Sequence, residues 1–186
     1  GIGIISTAQI GYREPDYQVN PHTANLRAVK KEIRRAKELA AGGIVGVNIM
    51  VATKGYEDYV KAAVEAGADL IISGAGLPVT LPEAASGVRR EDGVSRQAKL
   101  SPIVSSVKSA NVIMKYNYLP DLVVIEGPLA GGHLGFDRKQ LEDIEGMHYE
   151  EEVMRILEAV KAFGRAGNRE IPVVMAGGVY TGAEAR

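Results

Sequence analysis

Short apolar runs recur along the chain and predict six β-strands. The runs are near-continuous rather than alternating in polarity, which is typical of parallel strands that are covered on both faces. They are Ile2 to Ser6, Ile44 to Val51, Asp69 to Ser73, Ile103 to Ser106, Leu122 to Glu126, and Ile171 to Ala176. A parallel sheet is therefore expected.

Stretches with apolar residues at helical spacing lie between several of these runs. Asn20 offers an N-cap for the first helix, and Pro21 suits its first turn. Glycines just after the apolar stripes predict where helices end. The expected helices run from Asn20-Pro21 to Gly42-Gly43, from Tyr56 to Val64 with an end at Gly67, from Ser106 to Tyr116, and from Val153 to Phe163 with an end at Gly164.

The alternation of strands and helices predicts an α/β fold made of β-α units. No G-x-G-x-x-G motif opens a helix after the first strand, which weighs against a dinucleotide-binding doubly wound sheet. A (β/α)₈ barrel fits better, although such barrels usually need about 250 residues. With 186 residues and six visible strands, we expect residues 1–186 to form a single, incomplete TIM barrel domain, with the first and last strands missing.

The segment from Leu77 to Leu100 has no clear period and is long for a connection. Its charged run, Arg89 to Asp92, is compatible with a mobile surface loop that acts as a lid. A simple solvated turn is the favoured interpretation.

Composition narrows the functional classes. A formal net charge of −1 gives no basic field for nucleic acid, and the chain has no apolar run of membrane-spanning length. The absence of cysteine excludes disulfides and thiolate catalysis. The chain has only three histidines to serve as metal ligands, and no metal site is expected. The sequence predicts a soluble cytoplasmic protein.

The run from Glu126 to Gly135 is the most informative motif. It follows a predicted strand and places His133 among glycines at the strand end, where active sites of such barrels lie. Glycines let a flat ligand approach the main chain, and histidine has an unperturbed pKa of about 6.5. A planar cofactor beside a proton-handling group is one interpretation. A flexible loop with a solvated histidine is the other.

Four further residues are candidates because each has either a polar group in an unfavourable place or an accessible main-chain N–H group. Asn48 lies inside an apolar run, so its amide bonds either the main chain or a ligand. Lys108 begins a helix, where the macrodipole favours an anionic neighbour unless the lysine is simply exposed. Gly177 and Gly178 suit either a phosphate at a helix N-terminus or a plain turn.

Together these segments resemble the nitronate monooxygenase family, formerly 2-nitropropane dioxygenase, to which flavin-dependent enoyl-ACP reductase is closely related. The resemblance runs nearly end to end, and the glycine-histidine run is its most specific motif. The matching segments are Gly3 to Ser6, Gly46 to Met50, Ser73 to Gly76, Val107 to Ala110, Ala130 to Gly135, and Ala176 to Gly178.

The resemblance implies an FMN-containing (β/α)₈ barrel. It assigns the catalytic role to His133 and places the other candidates at the cofactor: Asn48 and Lys108 against the flavin, Gly131 and Gly132 near it, and Gly177 and Gly178 at the FMN phosphate. The family's first strand and its last strand, with a glycine-threonine-arginine type of turn, have no counterpart in the sequence.

The expected function is oxidation of an alkyl nitronate, a small-molecule substrate, by FMN, with O₂ reoxidising the reduced flavin. Reduction of an enoyl thioester by NAD(P)H is a rival reaction on the same scaffold. A non-catalytic barrel fragment and a barrel that binds another phosphate ester are two further possibilities. A homodimer is one candidate assembly.

Overall fold

The computed structural model describes residues 1–116, 119–132 and 134–184. The chain forms two compact units, Gly1–Ser101 and Pro102–Arg186. The prediction of a single domain over residues 1–186 stays a prediction.

The first unit contains a three-stranded parallel sheet with β2 at its centre. Within it, β1 pairs with β2, and β2 pairs with β3. The elements in chain order are β1 (Ile2–Ser6), α1 (Pro21–Leu39), β2 (Ile44–Met50), α2 (Tyr56–Glu65), β3 (Leu70–Gly74) and α3 (Leu81–Ala85), followed by the start of β4 (Lys99–Val104).

Two helices of the first unit, α1 and α2, form as their sequence predicts. The side chain of Asn20 accepts a hydrogen bond from the main-chain N of Thr23 at 3.2 Å, and Pro21 takes the first helical position of α1. Both helices bury one apolar stripe, with Val29 and Ile33 of α1 and Val60 of α2 at most 1% exposed. Burying such side chains contributes about 1.5–3 kcal/mol each.

The favoured interpretation of residues 77–100 as a simple solvated turn is wrong for the part around α3 and Arg90, whereas residues 91–97 are exposed. Leu81 of α3 is fully buried, and the side chain of Arg90 is only 4% exposed. Arg90 donates to the carbonyl oxygens of Gly67 and Ala68 at 2.8 and 3.1 Å. This segment is therefore packed against the loop that precedes β3, a long-range contact that no periodicity in the sequence reveals.

The second unit also contains parallel strands, with β5 hydrogen-bonded to β4 and to β6. Ile125 of β5, Ile113 of α4, and Ile156 and Val160 of α6 are at most 1% exposed and form its core. The elements are the remainder of β4, α4 (Val107–Lys115), β5 (Val123–Glu126), α5 (Arg138–Glu142), α6 (Tyr149–Ala166) and β6 (Val173–Ala176).

The six predicted strands and four predicted helices are confirmed, with several boundaries shifted, and the short helices α3 and α5 were not predicted. The fourth strand begins at Lys99 rather than Ile103, because the main-chain N of Lys99 donates to the carbonyl oxygen of Asp69 at 2.8 Å. Gly164 does not end α6, which continues to Ala166. A Cβ at Gly164 would lie 2.5 Å from the carbonyl oxygen of Arg169, so this glycine permits close packing.

Neither a membrane span nor a metal-binding cluster occurs in the described part of the chain. No helix there is both long enough and apolar enough to cross a membrane. No three His, Asp or Glu residues are grouped there in a way that could hold a metal ion.

Candidate active site

The carboxyl ends of β4, β5 and β6 lie side by side in the second unit, because β5 pairs in parallel with both neighbours. The residues that directly follow these strands are Ser105, Gly127 and Gly177. The main-chain N of Gly127 donates to the carbonyl oxygen of Ala176 at 2.9 Å, which extends the pairing of β5 and β6 into the turns. The turns after the strands therefore share one edge, where sites in parallel sheets are formed.

Two glycine-rich turns contact each other at this edge. We call residues 127–135 the glycine loop, and Gly177 with Gly178 the tandem glycines. Both tandem glycines have positive φ values, 97° and 77°. A Cβ at Gly177 would lie 2.5 Å from the main-chain N of Ala130, and one at Gly178 would lie 3.3 Å from Leu129 Cδ1. Glycine is therefore required at position 177 because the glycine loop lies directly on it.

We expect the substitution Gly177→Ala to destabilise the protein by about 2 kcal/mol or more, because it combines a disfavoured φ with an overlap against main chain. The glycine loop would also be displaced. Thermal unfolding measures the loss of stability. Gly182→Ala is the matched control, since a Cβ there has no neighbour within 4 Å and the φ is ordinary. Equal stability of the two variants would contradict the packing argument.

Open space lies beside the main chain at Gly131 and Gly132. A Cβ at either position would have no atom within 4 Å, and both residues are exposed. Gly132 has a positive φ of 88°, so its conformation favours glycine, whereas Gly131 has no such constraint. The glycine loop thus presents bare main chain to free space, which fits a flat ring such as a flavin.

Tyr149, the first residue of α6, ties the ends of β4 and β5 together. Its hydroxyl oxygen lies 2.7 Å from the carbonyl oxygen of Glu126 and 3.2 Å from that of Ser105, so its proton is shared between two acceptors. Its ring meets Phe136 edge to face, with centroids 5.2 Å apart. Burial raises the pKa of Tyr149 to about 12, which keeps it a donor at neutral pH. Sequence reasoning missed Tyr149, since no motif marks it.

Glu126 ends β5 with a half-buried carboxyl group. Its Oε2 accepts a hydrogen bond from the main-chain N of Gly135 at 3.2 Å. Burial raises the pKa of Glu126, and the Gly135 hydrogen bond only partly offsets this effect. The sequence shows a polar residue at the strand end, but the contact with Gly135 appears only in the structure.

Lys108 lies in the first turn of α4 and is exposed. The helix N-terminus is already capped, because Ser106 accepts from the main-chain N of Ser109 and Glu152 accepts from that of Val107 at 2.7 Å. The Glu152 carboxylate therefore supplies the anionic neighbour that the helix dipole favours. Lys108 forms no ion pair within the described ranges 1–116, 119–132 and 134–184, so its charge is available to a ligand.

Asn48 lies in β2 of the first unit, opposite Ser6 and Ile72 in the neighbouring strands. Its carbonyl oxygen accepts hydrogen bonds from Thr7, from the main-chain N at 3.1 Å and from Oγ1 at 3.0 Å. Its side chain is half-buried and makes no hydrogen bond to any described residue. Of the two alternatives for the Asn48 amide, a main-chain partner is therefore not observed among the described residues.

Ser73, another polar residue of the first unit, has two hydrogen-bond partners. Ser73 of β3 donates to the carbonyl oxygen of Ile49 at 2.8 Å, and its Oγ lies 2.8 Å from the hydroxyl of Tyr56. Burial raises the pKa of Tyr56 to about 12. This buried chain of hydrogen bonds joins α2 to the sheet and leaves Ser73 no role as a ligand group.

The structure brings four of the predicted site residues together. Gly131 and Gly132 belong to the glycine loop, which lies on Gly177 and Gly178. His133 lies outside the described residues, so its catalytic role stays a prediction. The cofactor-binding roles of the other six candidates also stay predictions.

Comparison with known proteins identifies both a family and a fold. The family model described as nitronate monooxygenase matches residues 17–185. FabK from Thermotoga maritima has a similar structure, with a TM-score of 0.54 and 23% identity over 84% of this chain and 42% of FabK. A point mutant of that FabK gives a TM-score of 0.54 and 23% identity over 83% of this chain and 44% of the mutant. No curated protein matches the chain in sequence.

The similarity to FabK confirms the fold class, an incomplete (β/α)₈ barrel with six parallel strands among the described residues. At this level of identity, the likeness shows the fold alone. The chain spans less than half the length of the FabK structures that it matches.

Proposed function

The chain belongs to the nitronate monooxygenase family, and we propose on that premise that it takes part in the FMN-dependent oxidation of alkyl nitronates with O₂. FMN is the cofactor of this family. A small-molecule substrate and a cytoplasmic location belong to the same proposal. The observation that supports it most is the open space beside Gly131 and Gly132, on a loop that packs against the tandem glycines.

FMN supplies the redox chemistry when bound, and the residues of this chain orient and polarise the reactants. Gly131 and Gly132 offer the flat main-chain surface for the ring. The tandem glycines offer main-chain N–H groups at a strand end, which suit the phosphate. Asn48, in the first unit, is a separate candidate for the polar group of a ligand, because its side chain makes no hydrogen bond to any described residue.

Lys108 provides a cation that no described side chain neutralises. A unit charge about 4 Å from an anion contributes roughly 4 kcal/mol at a surface-like dielectric. That is enough to favour the anionic form of a group held beside it. Glu152 already meets the demand of the helix dipole, so the role proposed for Lys108 rests on its exposed charge, which forms no ion pair with a described residue.

His133 is the proposed proton-handling residue. Its place in the glycine loop lies between Gly132, in open space, and Leu134. A neutral imidazole can take a proton from a substrate carbon, and a protonated one can pair with an anionic nitronate. Either role requires the imidazole to reach the substrate that stacks on the ring.

The reaction is tested by anaerobic mixing of the full-length protein with one electron donor at a time. We expect an alkyl nitronate to bleach the visible flavin band, and subsequent admission of O₂ to restore it. NADH without nitronate is the matched comparison. Bleaching by NADH and none by the nitronate would replace this proposal with reduction of an enoyl thioester.

A non-catalytic barrel and a barrel for another phosphate ester would each give a distinct result in the same preparation. The non-catalytic barrel predicts colourless full-length protein that does not take up added FMN. The barrel for another phosphate ester predicts tight binding of that ester with no flavin. The likeness to FabK does not choose between nitronate oxidation and enoyl reduction, because it concerns the fold.

A further inference from the structure

The last residue of the glycine loop is held at both of its main-chain polar atoms. The N of Gly135 donates to Glu126 Oε2 at 3.2 Å, and its carbonyl oxygen accepts from Ser105 Oγ at 3.3 Å. A Cβ at Gly135 would lie 2.2 Å from Ser105 Oγ, so the loop end sits directly against the serine. These contacts fix the end of the loop that follows His133.

The two residues that hold Gly135 are themselves fixed. Tyr149 donates its hydroxyl proton to the carbonyl oxygens of Ser105 and Glu126, so one side chain of α6 secures both strand ends. Phe136, the residue after Gly135, packs edge to face on the ring of Tyr149. The glycine loop thus ends in a rigid bracket of Ser105, Glu126 and Tyr149.

Glu126 is the titratable carboxyl group of this bracket. It forms no ion pair with any residue that the structure describes, and burial raises its pKa. Tyr149 of α6 is the titratable group that contacts this strand end, and burial, followed by the charges of Glu152 and Glu126, raises its pKa. A carboxylate accepts a stronger hydrogen bond than a neutral carboxyl group. Protonation of Glu126 would therefore weaken its hold on Gly135.

We propose that Glu126 is a positioning residue whose carboxylate, together with Ser105, sets the conformation of the glycine loop and makes that conformation dependent on pH. Through Gly135, the carboxylate influences where Gly131 and Gly132 lie. Any effect of the loop on turnover rests on the proposed function. The dependence of the loop conformation on Glu126 does not rest on it.

The test is hydrogen exchange of the segment 127–135 in flavin-free, full-length protein, expressed as protection factors between pH 4 and pH 8. In the wild type, protection of the Gly135 amide should fall by up to about fivefold as Glu126 is protonated towards the low end of this range, the difference between a charged and a neutral acceptor. Glu126→Gln should give low protection at every pH, with a flat profile. Ser105→Ala should lower protection but keep the pH dependence.

Glu158→Gln, at an exposed position of α6, is the control and should match the wild type. A flat profile in the wild type, or a Glu126→Gln profile that equals it, would overturn the proposal. Because no flavin or nitronate is present, failure of the proposed reaction does not affect this result. Should Glu126→Gln fail to fold, Ser105→Ala and the wild-type profile still decide the matter.

A kinetic readout separates positioning from a merely structural role. In the FMN-loaded protein, Glu126→Gln should flatten the acid limb of the kcat profile and leave KM within about twofold, as expected when only an interaction of the transition state is lost. A lower melting temperature with an unchanged kcat profile would show a structural role and overturn the proposal.

Discussion

Replacing His133 with asparagine in the full-length protein should lower kcat for nitronate oxidation by about 10²- to 10⁴-fold, the usual contribution of a positioned acid or base. Asparagine keeps a polar side chain of similar reach but cannot exchange a proton near neutral pH. The bound flavin spectrum should be unchanged, because the proposed flavin surface is the main chain at Gly131 and Gly132, which this substitution does not alter. Steady-state kinetics and the absorbance spectrum measure the two effects.

The chain offers a matched control for this substitution. His148 is exposed and has a positive φ of 46°, a conformation that asparagine adopts readily. His148→Asn should therefore retain wild-type kcat. Undiminished turnover in His133→Asn would remove this histidine from the mechanism, whatever the control shows.

The second large effect concerns stability. Asp69, at 5% side-chain exposure, receives hydrogen bonds from Lys37 at 2.8 Å and from Arg96 at 2.9 Å, and Arg90 lies 3.7 Å away. Its Oδ2 also accepts from the main-chain N of Val45 at 3.0 Å. This carboxylate thus joins α1, β2 and the segment before β4 at one point in the first unit.

We expect Asp69→Asn to lower the free energy of unfolding by about 3 kcal/mol, because breaking a buried pair leaves charge without a partner. This value lies at the low end of the range typical of broken buried ion pairs, because the side chains of Lys37 and Arg96 are partly exposed and can be solvated in the variant. The melting temperature should fall by on the order of 10 °C. Glu151→Gln, which removes an exposed pair with Arg155, should cost less than about 1 kcal/mol.

The effect of Asp69→Asn should also depend on pH. Burial acts to raise the pKa of Asp69, but hydrogen bonds from Lys37, Val45 and Arg96 outweigh it and hold the pKa below its usual value. A lowered pKa gives stability that is present above the unfolded value of about 3.9 and is lost as the pH falls through the folded value. Urea titrations should show the two proteins converging below about pH 4. A constant difference down to pH 2 would contradict this account.

The fold was predictable to a large extent because its signals are local. Each β-α unit has its own apolar run and its own caps, and Asn20 caps α1 as its sequence indicates. The errors arose where distant contacts decide the outcome. Pro102 argues against a strand that begins before it, yet β4 starts at Lys99 because Asp69 provides a partner for its main-chain N.

The glycines of the candidate site were predictable from the sequence, but the side chains that hold the glycine loop in place were not. Runs of glycine after a strand indicate where main chain must be approached closely, and the structure places Ala130 against Gly177. Tyr149 and Ser105 carry no such signal. They act through a hydroxyl group on main-chain atoms 44 and 30 residues away, and single-sequence patterns do not encode such pairs.

The central claim, that FMN lies against the glycine loop, is tested most directly by its dissociation constant from the variant Gly131→Val. A Cβ at Gly131 would have no atom within 4 Å and the φ is not positive, so the flavin-free protein should keep its melting temperature. The added methyl groups would occupy the space assigned to the ring, and Kd from quenching of FMN fluorescence should rise about 100-fold or more, roughly 2.8 kcal/mol. An unchanged Kd in a folded variant would contradict the account.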